Sequence, residues 1–327
     1  MEIFPKTLGT RPRLAVELKA EGVVAARADD AAALLTAAAE SPLPEGVLSL
    51  GLRPGNFLDR DRVVFALRAA LDAIADRTGE RNRSVTFVVP DATMRVLLLE
   101  FDSLPAKPVE ALAVVRFRLK KLLPFDSEQA ALSYQIMSSE KDSVRVLAVA
   151  MPQEVLEEYE QAITDAGYQP GAVLPSTLAA LAGLEERPEA ALVVNAGAGG
   201  VTTAIVRSGV LLLHRSIEFT QDTAAMEEQD QVSQALAADE AAMTGREIAQ
   251  AVSVATAYFE DTLSSSPEEI LSAGTLGAES LPVLLLENGL DVPTVREMVG
   301  PEALAAGAAT AHVSRNWLAS VRGALRN

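Results

Sequence analysis

The stretch ALVVNAGAGGVTTAIV, residues 191–206, limits what this chain can fold into more than any other. Two apolar runs flank a segment with glycine at 197, 199 and 200. Short apolar runs bounded by glycine read as buried strands, so the stretch predicts a hairpin. The same glycines let backbone N–H groups approach a phosphate closely. A tight turn and an anion cradle are therefore written in one sequence, and only the rest of the chain can separate them.

At 327 residues the chain is long enough for two domains or one bilobed unit. Hydrophobic residues make up 49% and aromatic residues 4%, which favours sheets and helices packed with aliphatic side chains. Acids outnumber bases 45 to 28, and the net charge of −17 repels nucleic acid from the chain as a whole. The absence of cysteine excludes disulfides, thiolate metal centres and cysteine nucleophiles. His214 and His312 are the two histidines, too few for a site built on several of them. No catalytic residue and no metal ligand is assigned. The N-terminal MEIFPKTLGTRPR lacks the apolar core of a secretory signal. The alanine-rich run at 31–39 is about half of the ~20 residues a membrane span needs. The expectation is a soluble cytoplasmic chain.

Periodicity predicts strands at 13–18 and 22–27 around a turn at Ala20-Glu21-Gly22, a helix at 30–39, a strand at 47–52, a helix at 60–77 and a buried strand at 84–90. A block of different character follows: a strand to residue 101, a helix at 109–122, and strands at 131–137 and 144–151. Beyond it come a helix at 153–166, a short strand and helix to 183, and a charged connector, Glu185 to Pro188. The hairpin 191–206 with 209–218, a helix at 246–263, a strand into a glycine turn at 268–279 and a leucine-rich helix follow. An alanine-rich helix at 302–312 and an arginine-rich tail end the chain. Trp317 reads as a core or interlobe anchor.

Three segments, VVPDATMRVLLLEFDSLP, KLLPFDSEQAALSYQIM and VLAVAMPQEVLEEYEQAITDAGYQP, carry a resemblance in combination. With Pro124-Phe125, Met151-Pro152 and Ala166-Gly167 to Pro170, the chain resembles the PilM family of type IV pilus machines, itself similar to the division protein FtsA. The resemblance implies an α/β fold of two actin-like lobes clasping a nucleotide, with an FtsA-type inserted α+β subdomain. It places 1–89 with 151–188 in the first lobe, 90–150 in the insert and 189–300 in the second lobe, with 301–327 packing back on the first.

It also implies phosphate loops, and this chain departs from all three. In the second loop Gly197, Thr202 and Thr203 match the pattern, but Asn195 replaces an Asp that would hold a metal-bound water or Mg²⁺. Aligned on Val16-Glu17-Leu18, the first loop keeps Gly9 but puts Thr7 and Leu14 at its Asp and Lys positions, with Arg11-Pro12-Arg13 in its turn. The adenosine-side loop is reduced to Gly274 and Gly277. ATP, with Mg²⁺ only alongside it, is the implied ligand, and hydrolysis is expected to be weakened or lost.

The helix at 109–122 carries Arg116, Arg118, Lys120 and Lys121. These read as cations favoured near a helix C-terminus, or as a docking patch for an acidic partner segment or anionic lipid. The acidic stretch 220–240 reads as a solvated run. The resemblance implies a cytoplasmic, non-enzymatic adaptor that binds the tail of an inner-membrane PilN-like partner and other pilus proteins, without a membrane span of its own. Two other readings stand beside it. One is a working ATPase with Thr7 and Asn195 as tolerated variants, although acids such as Asp91 and Glu17 carry no motif for that chemistry. The other is an FtsA-like filament scaffold whose tail, with Trp317, Leu318, Val321 and Leu325 on one face, meets a membrane.

Overall fold

A computed structural model describes residues 11–185, 187–219, 231–310 and 313–326, with side chains throughout except at 231–242. In chain order the first elements are β1 (Leu14–Lys19), β2 (Gly22–Ala28), β3 (Leu35–Pro42), α1 (Arg60–Thr78), β4 (Ser84–Val89) and β5 (Arg95–Phe101). Then come α2 (Pro108–Leu119), β6 (Ala130–Glu140), β7 (Ser143–Pro152), α3 (Gln153–Asp165), β8 (Gln169–Pro175) and α4 (Ser176–Ala182). The last third holds β9 (Ala191–Gly197), β10 (Gly200–Arg207), β11 (Val210–Glu218), α5 (Gln231–Leu263), β12 (Glu269–Gly274) and α6 (Ser280–Glu287). It ends with β13 (Thr294–Glu297), β14 (Leu304–Ala309) and α7 (Ala319–Leu325).

The strands form three sheets. The first runs β14-β3-β2-β1-β4-β8, the second β11-β10-β9-β12-β13 and the third β5-β7-β6. In the first and second sheets three antiparallel strands are followed by parallel neighbours: β1 pairs β4, and β9 pairs β12. All six residues of β1 are buried, as expected of a central strand covered on both faces, and the two charged ones, Glu17 and Lys19, pair with each other. Leu14, Val16 and Leu18 enter a core with α1 and α3, while Ala15 faces a second core with Leu178, Val321 and the inner face of the second sheet. The outer face of the second sheet packs on α5 and α6 through Leu192, Val194, Val252 and Phe259. The third sheet has its own small core, where Val115 and Leu119 of α2 meet Leu99, Val146 and Ala148.

Two alanine-rich segments differ from the sequence reading. The helix expected at 30–39 is largely β3, and the helix expected at 302–312 is a 3-10 turn at Pro301–Ala303 leading into β14. Alanine favours helices in isolation by well under 1 kcal/mol per residue. Here Ala37, Ala38 and Ala39 pair with Arg27, Ala26 and Ala25, and sheet pairing with burial outweighs that preference. In β14, Gly307 takes a φ of 76° that a helix cannot hold. The strand expected at 47–52 is irregular, tied by one bridge between Leu48 and Phe57, and β13 was not foreseen. No helix among the described residues is long and apolar enough to cross a membrane. The tail helix α7 is buried along Ala319, Ser320, Val321, Gly323, Ala324 and Leu325, so its apolar face is already covered.

Candidate functional site

The ends of β1, β4, β9 and β12 converge on one cleft, with α4 starting beside them. Two hairpins face each other across it. In β1–β2, Lys19 pairs with Gly22 and leaves the two-residue turn Ala20-Glu21. In β9–β10, Gly197 pairs with Gly200 and leaves the two-residue turn Ala198-Gly199. Each second strand begins with glycine for one reason: a Cβ at Gly22 would fall 2.7 Å from the Ser41 carbonyl oxygen, and one at Gly200 would fall 2.5 Å from that of Ile217. The third strand lies too close for a side chain.

The two turns touch. Glu21 Oε1 accepts the backbone N–H of Ala198 at 2.6 Å and the hydroxyl of Thr275 just beyond β12. The carboxylate thus sits where the glycine turn presents its N–H, which is the position an anion would take. Deeper in, Glu17 is fully buried and accepts from Lys19 Nζ at 2.8 Å and Ser176 Oγ at 2.5 Å. Asp91, in the turn after β4, accepts from the N–H of Thr177 at 3.1 Å and from its hydroxyl, holding the start of α4. Asn195 closes the network by donating its amide to Ser176 Oγ and Thr177 Oγ1, both at 2.9 Å. Charge-assisted bonds of this kind are about twice as strong as neutral ones.

Glu17, Glu21, Asp91 and Glu218 line the cleft against a single ammonium, that of Lys19. Glu218 is held by Arg95 at 2.9 Å. Carboxylates therefore outnumber ammonium groups in the lining of this cleft. His214 stands in β11 near Asp91, with Nε2 buried and without a hydrogen-bond partner among the described residues. Burial pushes its pKa below the ordinary histidine value, while the Asp91 charge acts in the opposite direction.

No protein-family model matches the chain, and no curated protein does. Among solved structures, a chain of the PilM–PilN type IV pilus biogenesis complex superposes with a TM-score of 0.66 over 96% of this chain and 99% of that one, at 22% identity. The fold is therefore actin-like, of the PilM type. The third sheet and α2 lie between β4 and β8 in sequence. The ethanolamine utilization protein EutJ from Carboxydothermus hydrogenoformans matches with a TM-score of 0.49 at 12% identity, over 96% of this chain and 89% of that one. The cytoplasmic domain of EpsL, an inner-membrane component of the Vibrio cholerae type II secretion system, matches with 0.44 at 12% identity, over 80% and 82%.

Of the residues singled out in the sequence, Asn195, Gly197, Thr202 and Gly274 line this PilM-type cleft. Gly274 has a φ of 86°, and a Cβ there would lie 2.5 Å from Asn195 Oδ1 and 2.4 Å from the Ala196 oxygen. Thr202 bonds Ser216 Oγ at 3.0 Å, so its hydroxyl is engaged within the sheet. Thr203 is fully buried, with no partner for its hydroxyl among the described residues.

The first loop was aligned one strand too early. Leu14 is buried within β1, and none of Arg11, Pro12 and Arg13 lines the cleft. The turn that reaches it follows β1, at Lys19–Gly22. Thr7, Gly9, His312 and the acidic stretch from 220 to 230, with the side chains of 231–240, lie outside the described residues. Glu21 is the residue that sequence reasoning missed. Its signal was an acid in a two-residue turn after VELKA, where glycine or serine would serve the turn equally well. Within the basic helix, Arg116 turns inward to the carbonyls of Ser127 and Ala130, whereas Arg118, Lys120 and Lys121 are exposed.

Proposed function

We propose that this protein is a cytoplasmic adaptor of type IV pilus assembly that binds the tail of an inner-membrane PilN-like partner and works without hydrolysing ATP. The observation that carries the second half of this reading is the Glu21 contact, which fills the glycine turn with the chain's own carboxylate. The fold shared with a chain of the PilM–PilN complex supports the first half. In this reading the lobes are held together by Glu21 and the Asp91–Thr177–Asn195 network rather than by a nucleotide. Capture of the tail beside the third sheet draws on apolar side chains and backbone pairing.

The ATPase reading needs a metal-binding acid placed over phosphates, and the acids of this cleft bond within the chain: Glu17 through Oε1 to Lys19 and Ser176, its Oε2 having no partner among the described residues, Glu21 to Ala198 and Thr275, Asp91 to Thr177 and Glu218 to Arg95. Calorimetric titration with ATP and Mg²⁺, at concentrations that detect a millimolar Kd (about −4 kcal/mol), tests this directly. The expected result is no heat and no change in melting temperature. Mg²⁺-dependent binding overturns the nucleotide-free half of the reading. A separate titration with the partner's cytoplasmic tail peptide tests the adaptor half, which absence of binding overturns.

A further inference from the structure

We propose that the outer face of α2 and the turn after it dock on an anionic phospholipid surface, whichever protein the chain partners. Three observations meet there. Arg118, Lys120 and Lys121 are exposed and form no ion pair among the described residues. Elsewhere Arg27, Arg60, Arg83 and Arg187 each hold an acid within 3.3 Å, as expected in a chain with 45 acids and 28 bases. Other bases, such as Arg53 and Arg81, also form no ion pair among the described residues, but here three lie within four residues of one another in an acidic chain.

Apolar side chains stand among them. Phe117 is 75% exposed and Leu122 49%, with Val109 81% exposed at the start of the helix. Phe117 and Arg118 stand in the last turn of α2, and Lys120, Lys121 and Leu122 in the turn directly after it, all of them exposed. The helix dipole accounts for bases near its C-terminus, but it gives no reason for a phenylalanine or a leucine in water. Packing gives none either, because Ala111, Val115 and Leu119 already cover the third sheet.

The face is also held in place. Arg116 anchors α2 to the carbonyls of Ser127 and Ala130 in the following loop. Of the nearby acids, Glu110 is paired with Lys107 at 2.8 Å, Asp126 caps the Glu128 N–H at 3.0 Å, and Glu128 remains exposed.

Charge and shape select the occupant. Unpaired cations call for an anion, and exposed Phe and Leu call for an apolar layer beneath it. A bilayer with acidic headgroups offers both, the bases reaching headgroups while the rings enter the boundary. An acidic peptide would use the bases alone and leave the exposed Phe117 and Leu122 without a role. The −17 net charge does not cancel the contact, because the Debye length at physiological salt is about 8 Å and acids on distant faces are screened.

The test is flotation of the full chain with vesicles containing phosphatidylglycerol, against vesicles of phosphatidylcholine alone, at low and high sodium chloride. Expected are binding to the anionic vesicles only and its loss at high salt. The double substitution Lys120→Ala with Lys121→Ala should weaken binding about 25-fold, at about fivefold for each base. Phe117→Ser should weaken it about tenfold. Phe65→Ser, at an aromatic 70% exposed on α1, should leave it unchanged. Circular dichroism and melting temperature confirm that each variant is folded. Equal binding to both vesicle types overturns the proposal, as does full binding by the lysine double variant. If the vesicles are ignored and an oligoglutamate peptide binds through the same lysines, the surface belongs to a peptide and the lipid assignment fails.

Discussion

The hairpins β1–β2 and β9–β10 are built alike and behave as opposites. Both close with a two-residue turn, and both begin the second strand with a glycine pressed against the third. The first turn carries Glu21, an acceptor, and is followed deeper in the cleft by Glu17 and Asp91. The second offers donors: the Ala198 N–H, the Asn195 amide and, beside it, the Thr275 hydroxyl. Two walls that both donate would require an anion between them. One wall that accepts and one that donates can satisfy each other, and here they do.

The backbone shared by the hairpins makes the largest testable claim. Gly22→Ala and Gly200→Ala should each cost about 3 kcal/mol, because each new Cβ would meet a carbonyl oxygen of the third strand. Urea denaturation of both variants would measure it. Clearly unequal losses would show that the hairpins are not equivalent in the way their registers suggest.

Asp91→Ala comes next, at about 2–3 kcal/mol, since it strips acceptors from the buried N–H and hydroxyl of Thr177. A loss below about 0.5 kcal/mol would mean that the acceptor wall is decorative. Glu21→Gln removes a charge from a half-exposed contact and should cost about 1 kcal/mol. Its sharper readout is hydrogen exchange of the Ala198 amide, which should speed up about fivefold relative to wild type, roughly the factor that 1 kcal/mol represents. Unchanged exchange would separate the two turns.

The smallest effect is the pH response of His214. Burial holds its native pKa below the ordinary value, so the unfolded chain binds the proton more readily than the folded one. The associated stability is complete above the ordinary histidine pKa of about 6.5 and is lost as pH falls from there toward the lowered native value. Between about pH 7.5 and about pH 5.5, on either side of the ordinary histidine value, wild type should lose more melting temperature than His214→Gln. Parallel losses would remove His214 from the balance beside Asp91.

Much of this was legible in the sequence where pattern and packing agree. The helix α1 shows its buried stripe at Val63, Leu67, Leu71 and Ile74, and β4 and β9 are continuous apolar runs. The block from β5 to β7 stood out because α2 and its three strands carry their own apolar pattern. Alanine misled in β3 and β14, since a residue with no side-chain preference of its own takes the structure its neighbours impose. In the site, the donor wall could be read because Asn195, Gly197 and Gly274 interrupt apolar strands. The acceptor wall could not, because an acid in a surface turn looks like any solvated charge until the opposite turn is placed 2.6 Å away. Aligning by the Val16-Glu17-Leu18 triplet misled further, because that triplet lies in the strand that leads into the cleft.

A cleft latched by its own glutamate has consequences for timing. Proteins that close on a nucleotide carry a clock, because hydrolysis and release limit how long each closed state lasts. In the proposed reading, with no nucleotide turned over, Glu21 is neither consumed nor released, and the closed form has no built-in lifetime. Whatever this molecule holds together is then governed by how much of each component is present and by how quickly the components part.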